Sequence, residues 1–354
     1  KNKVEAQNLH KNASLWLEEN GFFEKAIEHA FASKDYKRSI QLISNIIEGL
    51  WEQGKHAAIL NYGDSLPDDM IRKNPEFCLY YSWILITTGK RDKAEPLIIN
   101  AKKIIENRIN DNNYPETDLQ YFRELLGRIY VEYAHLYHDG KDLDKTTSYC
   151  KKALEYLSEK DSLWLGWAWF LYGNKELIKG NISQGNEGLK NALMHSKKSG
   201  NIYLMSNTTS ILAFHNTGQG YYRESYKQCS DLLGFIKKSS YPEIAKVEWT
   251  FSGPYSLMSC IESIWTDFDA ALENARIGYD LCKNVKNIAL VHKITSLYAY
   301  PLALYSSGDK AGAEEKLNDL EDIRTNYSFP PFQESIYVGW KIFLLVESDK
   351  LDKA

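Results

Sequence analysis

The sequence predicts an all-α chain: antiparallel helix pairs stacked side by side into an αα-superhelix of about eight pairs. Three observations predict it. Apolar residues recur at helical spacing, a turn residue with small residues at fixed offsets behind it repeats along the chain, and no stretch alternates strongly enough for a strand.

Residues 12–32 set the pattern. Ala13 and Leu17 lie on one side of Gly21, and Phe22, Ala26, Ile27 and Ala30 on the other. Gly21, after Asn20, ends the first helix by taking a left-handed conformation. Glu24-Lys25-Ala26 restarts a helix, and Ala26 and Ala30 let it lie close against the first.

The same signature recurs about every 33 to 52 residues, mostly near 40. The turn residues are Gly21, Gly54, Gly89, Lys141, Gly180, Gly220, Thr266 and Gly308. Five, nine and twelve positions after Gly89 stand Ala94, Ile98 and Ala101; after Thr266 stand Ala271, Ala275 and Gly278. Seven positions before most turns sits a small residue: Ser14, Ser82, Ala134, Gly173, Ala213 and Ser259. Aromatics flank it, as Tyr130, Tyr133 and Tyr137 do around Ala134. A small residue at the helix crossing, aromatics beside it and small residues facing back from the second helix make the pattern tetratricopeptide-like, with a longer unit than the usual 34 or so. No hairpin has enough apolar surface to stand alone, so stacking must supply the core. Residues 107–118, 237–243 and 325–331 read as links, with Pro242, Pro330 and Pro331 blocking helix continuation. Residues 1–354 read as one repeat array, in which 1–105 and 106–354 differ only in how far their motifs can be traced.

Composition narrows the function. A net charge of −4, with 25% charged residues, gives no strongly basic nucleic-acid surface. The five cysteines (78, 150, 229, 260 and 282) form no Cys-x-x-Cys pair, and Cys150 and Cys229 fall at packing positions. Reduced, buried thiols in a cytoplasmic protein are expected. No signal peptide and no apolar run of membrane-spanning length is present, so no membrane partner is expected. Both ends read as cut: the chain starts without Met inside a helical pattern and stops after what reads as a turn.

Catalytic motifs are lacking. There is no phosphate-binding loop, no Gly-x-Ser-x-Gly elbow and no His-Glu-x-x-His. Gly218-Gln219-Gly220 is a repeat turn. His135 and His138 share a helix face, but a third metal ligand is not evident. The expectation is a binding protein, with neither catalytic residues nor a metal.

The informative surface is the inner wall. Counting back from each turn places Trp83, His135, Trp167, Asn174, Asn207 and Tyr298 on the first helix of their pairs, facing the concave side of the superhelix. Trp167 and Asn174 are thirteen and six residues before their turn, two helical turns apart on one face; Asn207 is thirteen before the next turn. Rings beside amides suit a sugar or a peptide. Packing between neighbouring first helices is the competing use of the same aromatics.

The first hundred residues carry a more specific order. Leu15-Trp16-Leu17, then Gly21-Phe22-Phe23-Glu24-Lys25-Ala26-Ile27-Glu28-His29-Ala30, are followed by Lys34-Asp35-Tyr36, Gly54, Leu66-Pro67, Pro75-Glu76-Phe77 and Tyr81-Ser82-Trp83. Over residues 9–105 this resembles the helical-repeat region of the large ATP-dependent LuxR-family transcription regulators, among them the maltotriose-responsive activator of the maltose regulon. Beyond, the resemblance is at repeat level. It implies an effector-sensing, autoinhibitory domain with a small-molecule inducer such as a saccharide. The other domains of the same regulator would be its partners, with ATP and DNA engaged only by nucleotide-binding and helix-turn-helix domains outside this segment. A peptide- or protein-binding scaffold is the alternative. The matched motifs are architectural, so no ligand residue follows from the resemblance.

Overall fold

The computed structural model describes residues 2–52, 55–111, 113–138, 142–238, 248–283 and 290–326, with isolated positions between 334 and 346. The chain forms two compact units, Lys1–Asn201 and Ile202–Ala354. The fold is all-α and tetratricopeptide-like, with no strand among the described residues.

The first unit pairs α1 (Asn2–Glu19) with α2 (Phe23–Ala32), and α3 (Tyr36–Glu52) with α4 (His56–Ser65). A short α5 (Asp68–Arg72) follows, which the repeat pattern does not predict. Pairs α6 (Pro75–Thr87) with α7 (Arg91–Ile109), α8 (Glu116–Leu136) with α9 (Leu143–Tyr156), and α10 (Ser162–Ile178) with α11 (Ile182–Ser199) complete it. The second unit pairs α12 (Ile202–Gly218) with α13 (Tyr222–Lys238). After a 3-10 turn (Glu248–Phe251), α14 (Ser252–Ile264) pairs with α15 (Phe268–Cys282), and α16 (Leu290–Ser306) with α17 (Lys310–Asn326).

The pairs pivot where the sequence places them. Gly21, Gly89, Gly180, Gly220 and Gly308 all have φ between 78° and 95°, the left-handed region that costs glycine little. Thr266 takes the same turn at φ 62° despite its β-branch, and Asp267 behind it caps α15 by accepting from the Ala270 amide. The turns expected at Gly54 and Lys141, and the links at Pro242 and Pro330, lie outside the described residues. The link expected over 107–118 is shorter: α7 runs on to Ile109, with Ile105 fully buried in its last turns, and α8 starts directly after Pro115.

The crossings are tight because their residues are small. Ser14, Ser82, Ala134, Ala213 and Ser259 are completely buried, as are Ala26, Ala94, Cys150, Ser225 and Ala271 on the facing helices. Ser14 Oγ donates across its crossing to Ala26 O at 2.8 Å, and Ser225 Oγ donates the other way to Ala213 O at 2.9 Å. At α10–α11 the backbones nearly touch: a Cβ on Gly173 would sit 2.7 Å from Leu189 N and 2.8 Å from Gly185 O.

Candidate functional site

First helices pack on first helices in the first unit: α3 on α6, α6 on α8, α8 on α10. Their shared face carries a run of indoles. Trp51 closes α3, Trp83 sits in α6, and Trp164 and Trp167 lie one turn apart in α10. Trp51 and Trp164 stack at 5.1 Å, 8° from parallel. Trp83 stands edge-on to both, at 5.3 and 5.6 Å, and meets Trp167 at 4.9 Å. These are the separations at which aromatic pairs contribute beyond their buried area.

Polar groups are set into this wall. The His135 ring lies 4.3 Å from that of Trp83. Its Nδ1 is 3.9 Å from Oε2 of Glu132, which is wholly buried. Ser82 Oγ reaches Glu132 Oε1 at 2.9 Å. Burial pushes the Glu132 carboxyl above its ordinary range, against the pull of His135 and Ser82. Asn174 Nδ2 and His138 Nε2 are 3.4 Å apart, joining α10 to the end of α8. The indole N–H groups of Trp51 and Trp164 are buried without an acceptor among the described residues.

One edge of the wall is ionic. Arg128 donates from Nε to Asp161 at 2.7 Å, and from a terminal nitrogen to Glu48 at 2.9 Å and the Tyr80 hydroxyl at 3.1 Å. Its guanidinium lies 5.8 Å from the Trp164 ring centre. One arginine thus ties α3, α6 and α8 to the start of α10. Glu52 is raised by burial and then by Glu48, since carboxylates outnumber the cation here.

Four of the six residues expected to face a ligand therefore lie on this wall: Trp83, His135, Trp167 and Asn174. Trp83 and Trp167 are 3% and 9% exposed, so both rings are largely covered by their neighbours. Asn207 and Tyr298 belong to the second unit. Asn207 is buried in α12, where its amide donates to Tyr203 O one turn back. Around it Ser206, Thr208, Thr209 and Ser210 are buried too; Thr208 and Ser210 bond carbonyls of their own helix, and Ser206 bonds Thr250 O. Tyr298, in α16, is half-buried, and burial followed by Glu334 raises its hydroxyl. Motif reading misses Trp51, Trp164 and Glu132. The spacing of Trp164, Trp167 and Phe170, every third residue on one face, is the signal that would have found the α10 stripe. No group of three or more potential metal ligands occurs among the described residues.

Repeated antiparallel pairs, left-handed turns and small crossings define a tetratricopeptide-like repeat domain. The family model that matches is the MalT-like TPR region, over residues 116–339, and the chain belongs to that family. Its fold is similar to that of a Signal Transduction ATPase with Numerous Domains protein with a tetratricopeptide repeat sensor from Pyrococcus horikoshii. The TM-score is 0.62 at 14% identity, over 96% of this chain and 50% of that one. The apo form of the quorum sensor NprR from B. thuringiensis superposes with a TM-score of 0.55 at 13% identity, over 92% of this chain and 82% of that one. At these identities the likeness is one of fold. In sequence, 75 residues are 33% identical to the serine/threonine-protein kinase PknK of Mycobacterium tuberculosis, 21% of this chain and 7% of that protein. The chain thus spans half of the Pyrococcus protein and less than a tenth of the kinase. No described helix is long and apolar enough to cross a membrane.

Proposed function

We propose that this chain is the effector-sensing domain of a LuxR-family, ATP-dependent transcription regulator, and that a small inducer such as a saccharide binds along the first-helix wall. The observation that carries the reading is the convergence of Trp83, His135, Trp167 and Asn174 on consecutive first helices of one unit. Indole faces stack on the apolar side of a sugar ring, and the Asn174 amide and the imidazoles bond its hydroxyls. The wall is closed as it stands, so a ligand gains access by parting α6, α8 and α10. Binding that favours the parted arrangement over the closed one shifts an equilibrium in attached domains, which is what a sensor has to do. ATP and DNA belong to other domains of the regulator, and the segment itself is a binding module rather than an enzyme.

A peptide is the second reading, favoured by the ionic edge. Glu48, Glu52 and Asp161 exceed the charge of Arg128, which suits an amine or a basic side chain. NprR is described as having a cognate peptide. Isothermal calorimetry of the chain against a panel of linear oligosaccharides and a panel of short basic peptides separates the two. A saccharide that binds and changes tryptophan emission supports the first reading. Binding by peptides alone replaces it with the second, and no binding by either panel overturns both.

A further inference from the structure

Three carboxylates are buried deep among the described residues, and one of these three lacks adequate donors. Glu176 is 4% exposed and meets Lys179 Nζ at 3.1 Å and Asn181 Nδ2 at 2.6 Å. Glu262 is 3% exposed and accepts from the Tyr226 hydroxyl at 2.9 Å and from Asn274 at 2.8 Å. Glu132 has no exposure at all, a single hydroxyl at one oxygen and, among the described residues, no hydrogen-bond partner at the other, which has only His135 Nδ1 at 3.9 Å. An ionised carboxylate in that setting is costly.

The proton arithmetic at Ser82 points the same way. Ser82 has one hydroxyl hydrogen and two oxygens in reach, Leu79 O at 3.0 Å and Glu132 Oε1 at 2.9 Å. With Glu132 protonated on Oε1, the acid donates to Ser82 Oγ while Ser82 donates to Leu79 O, so both contacts are hydrogen bonds. With Glu132 ionised, the single hydrogen serves only one of them. Ser82 is the crossing residue of α6, and its neighbour Trp83 is the ring that touches Trp51, Trp164, Trp167 and His135.

We propose that Glu132 is a proton-controlled latch between α6 and α8: as a neutral acid it closes the contact at Ser82, and as a carboxylate it loosens the tryptophan wall. The idea does not depend on what ligand the wall takes. His135, on the same helix, is the titratable neighbour that acts on Glu132, and α6 offers the Ser82 hydroxyl. The sign follows from burial. The folded-state value is raised above the ordinary 4.5, so the stabilisation is fully present below that value and is lost as pH rises through the folded-state one.

The test follows melting temperature and tryptophan emission of the whole chain from about pH 5 to about pH 9. Wild type should melt lower and emit further to the red as pH rises. Glu132→Gln, which keeps a donor for Ser82 but has no proton to lose, should remove that pH-dependent part. Equal pH slopes in the two proteins overturn the latch. Infrared spectroscopy supplies a readout independent of the variant's folding. A protonated-carboxyl carbonyl band should be present in wild type at about pH 5, fade as pH rises and move in Ser82→Ala, and its absence at about pH 5 overturns the proposal.

Discussion

Gly173 is where the packing account can be tested most sharply. A Cβ there would lie 2.7 Å from Leu189 N, 2.8 Å from Gly185 O and 3.0 Å from the carbonyl carbon of Gly188. All three are backbone atoms, so no flexible side chain can swing aside. Ordinary contact begins at 3.4 Å, so α10 and α11 must separate by roughly 0.7 Å to admit one methyl. A gap of that size forfeits about a quarter to a half of each contact it opens. Overpacking costs about 1–3 kcal/mol, while alanine regains about 1 kcal/mol of helix propensity over glycine. Three backbone atoms at 3.0 Å or less put Gly173→Ala in the upper part of that range, about 2–3 kcal/mol, so the packing term wins with a net loss of about 1–2 kcal/mol. A unit of this size shifts by about 2–4 °C per kcal/mol, so differential scanning calorimetry should show a fall of roughly 2–8 °C. Gly173→Leu should exceed it. Gly234 in α13, with nothing within 4 Å of its Cβ position, is the control: Gly234→Ala should hold or raise the melting temperature. A Gly173→Ala protein that melts at or above wild type would refute the close approach and the repeat register with it.

Further outcomes follow from single contacts. Arg128→Ala strands Asp161, whose side chain is 9% exposed, and should cost on the order of 3 kcal/mol by denaturant melt. Arg128→Lys should recover little of this, since an ammonium cannot reproduce the fork. Asn74 caps α6 by accepting from the Phe77 amide at 2.7 Å and also bonds Ser44; Asn74→Ala should lose about 1 kcal/mol. Cys78 and Cys229 are buried, and burial pushes both thiols up to about 12, so neither should react with a thiol reagent at neutral pH until the chain is unfolded.

The parts legible in the sequence are those fixed locally. A left-handed turn demands glycine, and a crossing demands a small residue, so Gly89 and Ala94, or Gly173 and Gly185, announce themselves at fixed offsets. Thr266 was legible only through Ala271 and Ala275 behind it. The wall was legible in part, because helical register puts Trp83, His135 and Trp167 on first helices. What register cannot supply is pairing between repeats. Trp51 stacks on Trp164 across more than a hundred residues, and Glu132 meets Ser82 from the next first helix. Asn207 shows a second limit. A buried amide must find a partner, and here the carbonyl of Tyr203 one turn back supplies it, inside a run of five polar residues that composition alone would leave in water. The end of α7 shows a third, since Asn107 and Arg108 look like loop residues yet stay helical next to the buried Ile105.

The central claim is that the first-helix wall of the first unit receives the effector. The direct measurement is calorimetry of the Trp167→Ala, Asn174→Ala double variant against the oligosaccharide that binds wild type best, alongside circular dichroism to establish that the helices persist. The account predicts a loss of affinity well beyond threefold with helicity intact. A loss below about threefold, under roughly 0.7 kcal/mol, would contradict it and leave the tryptophan wall as core.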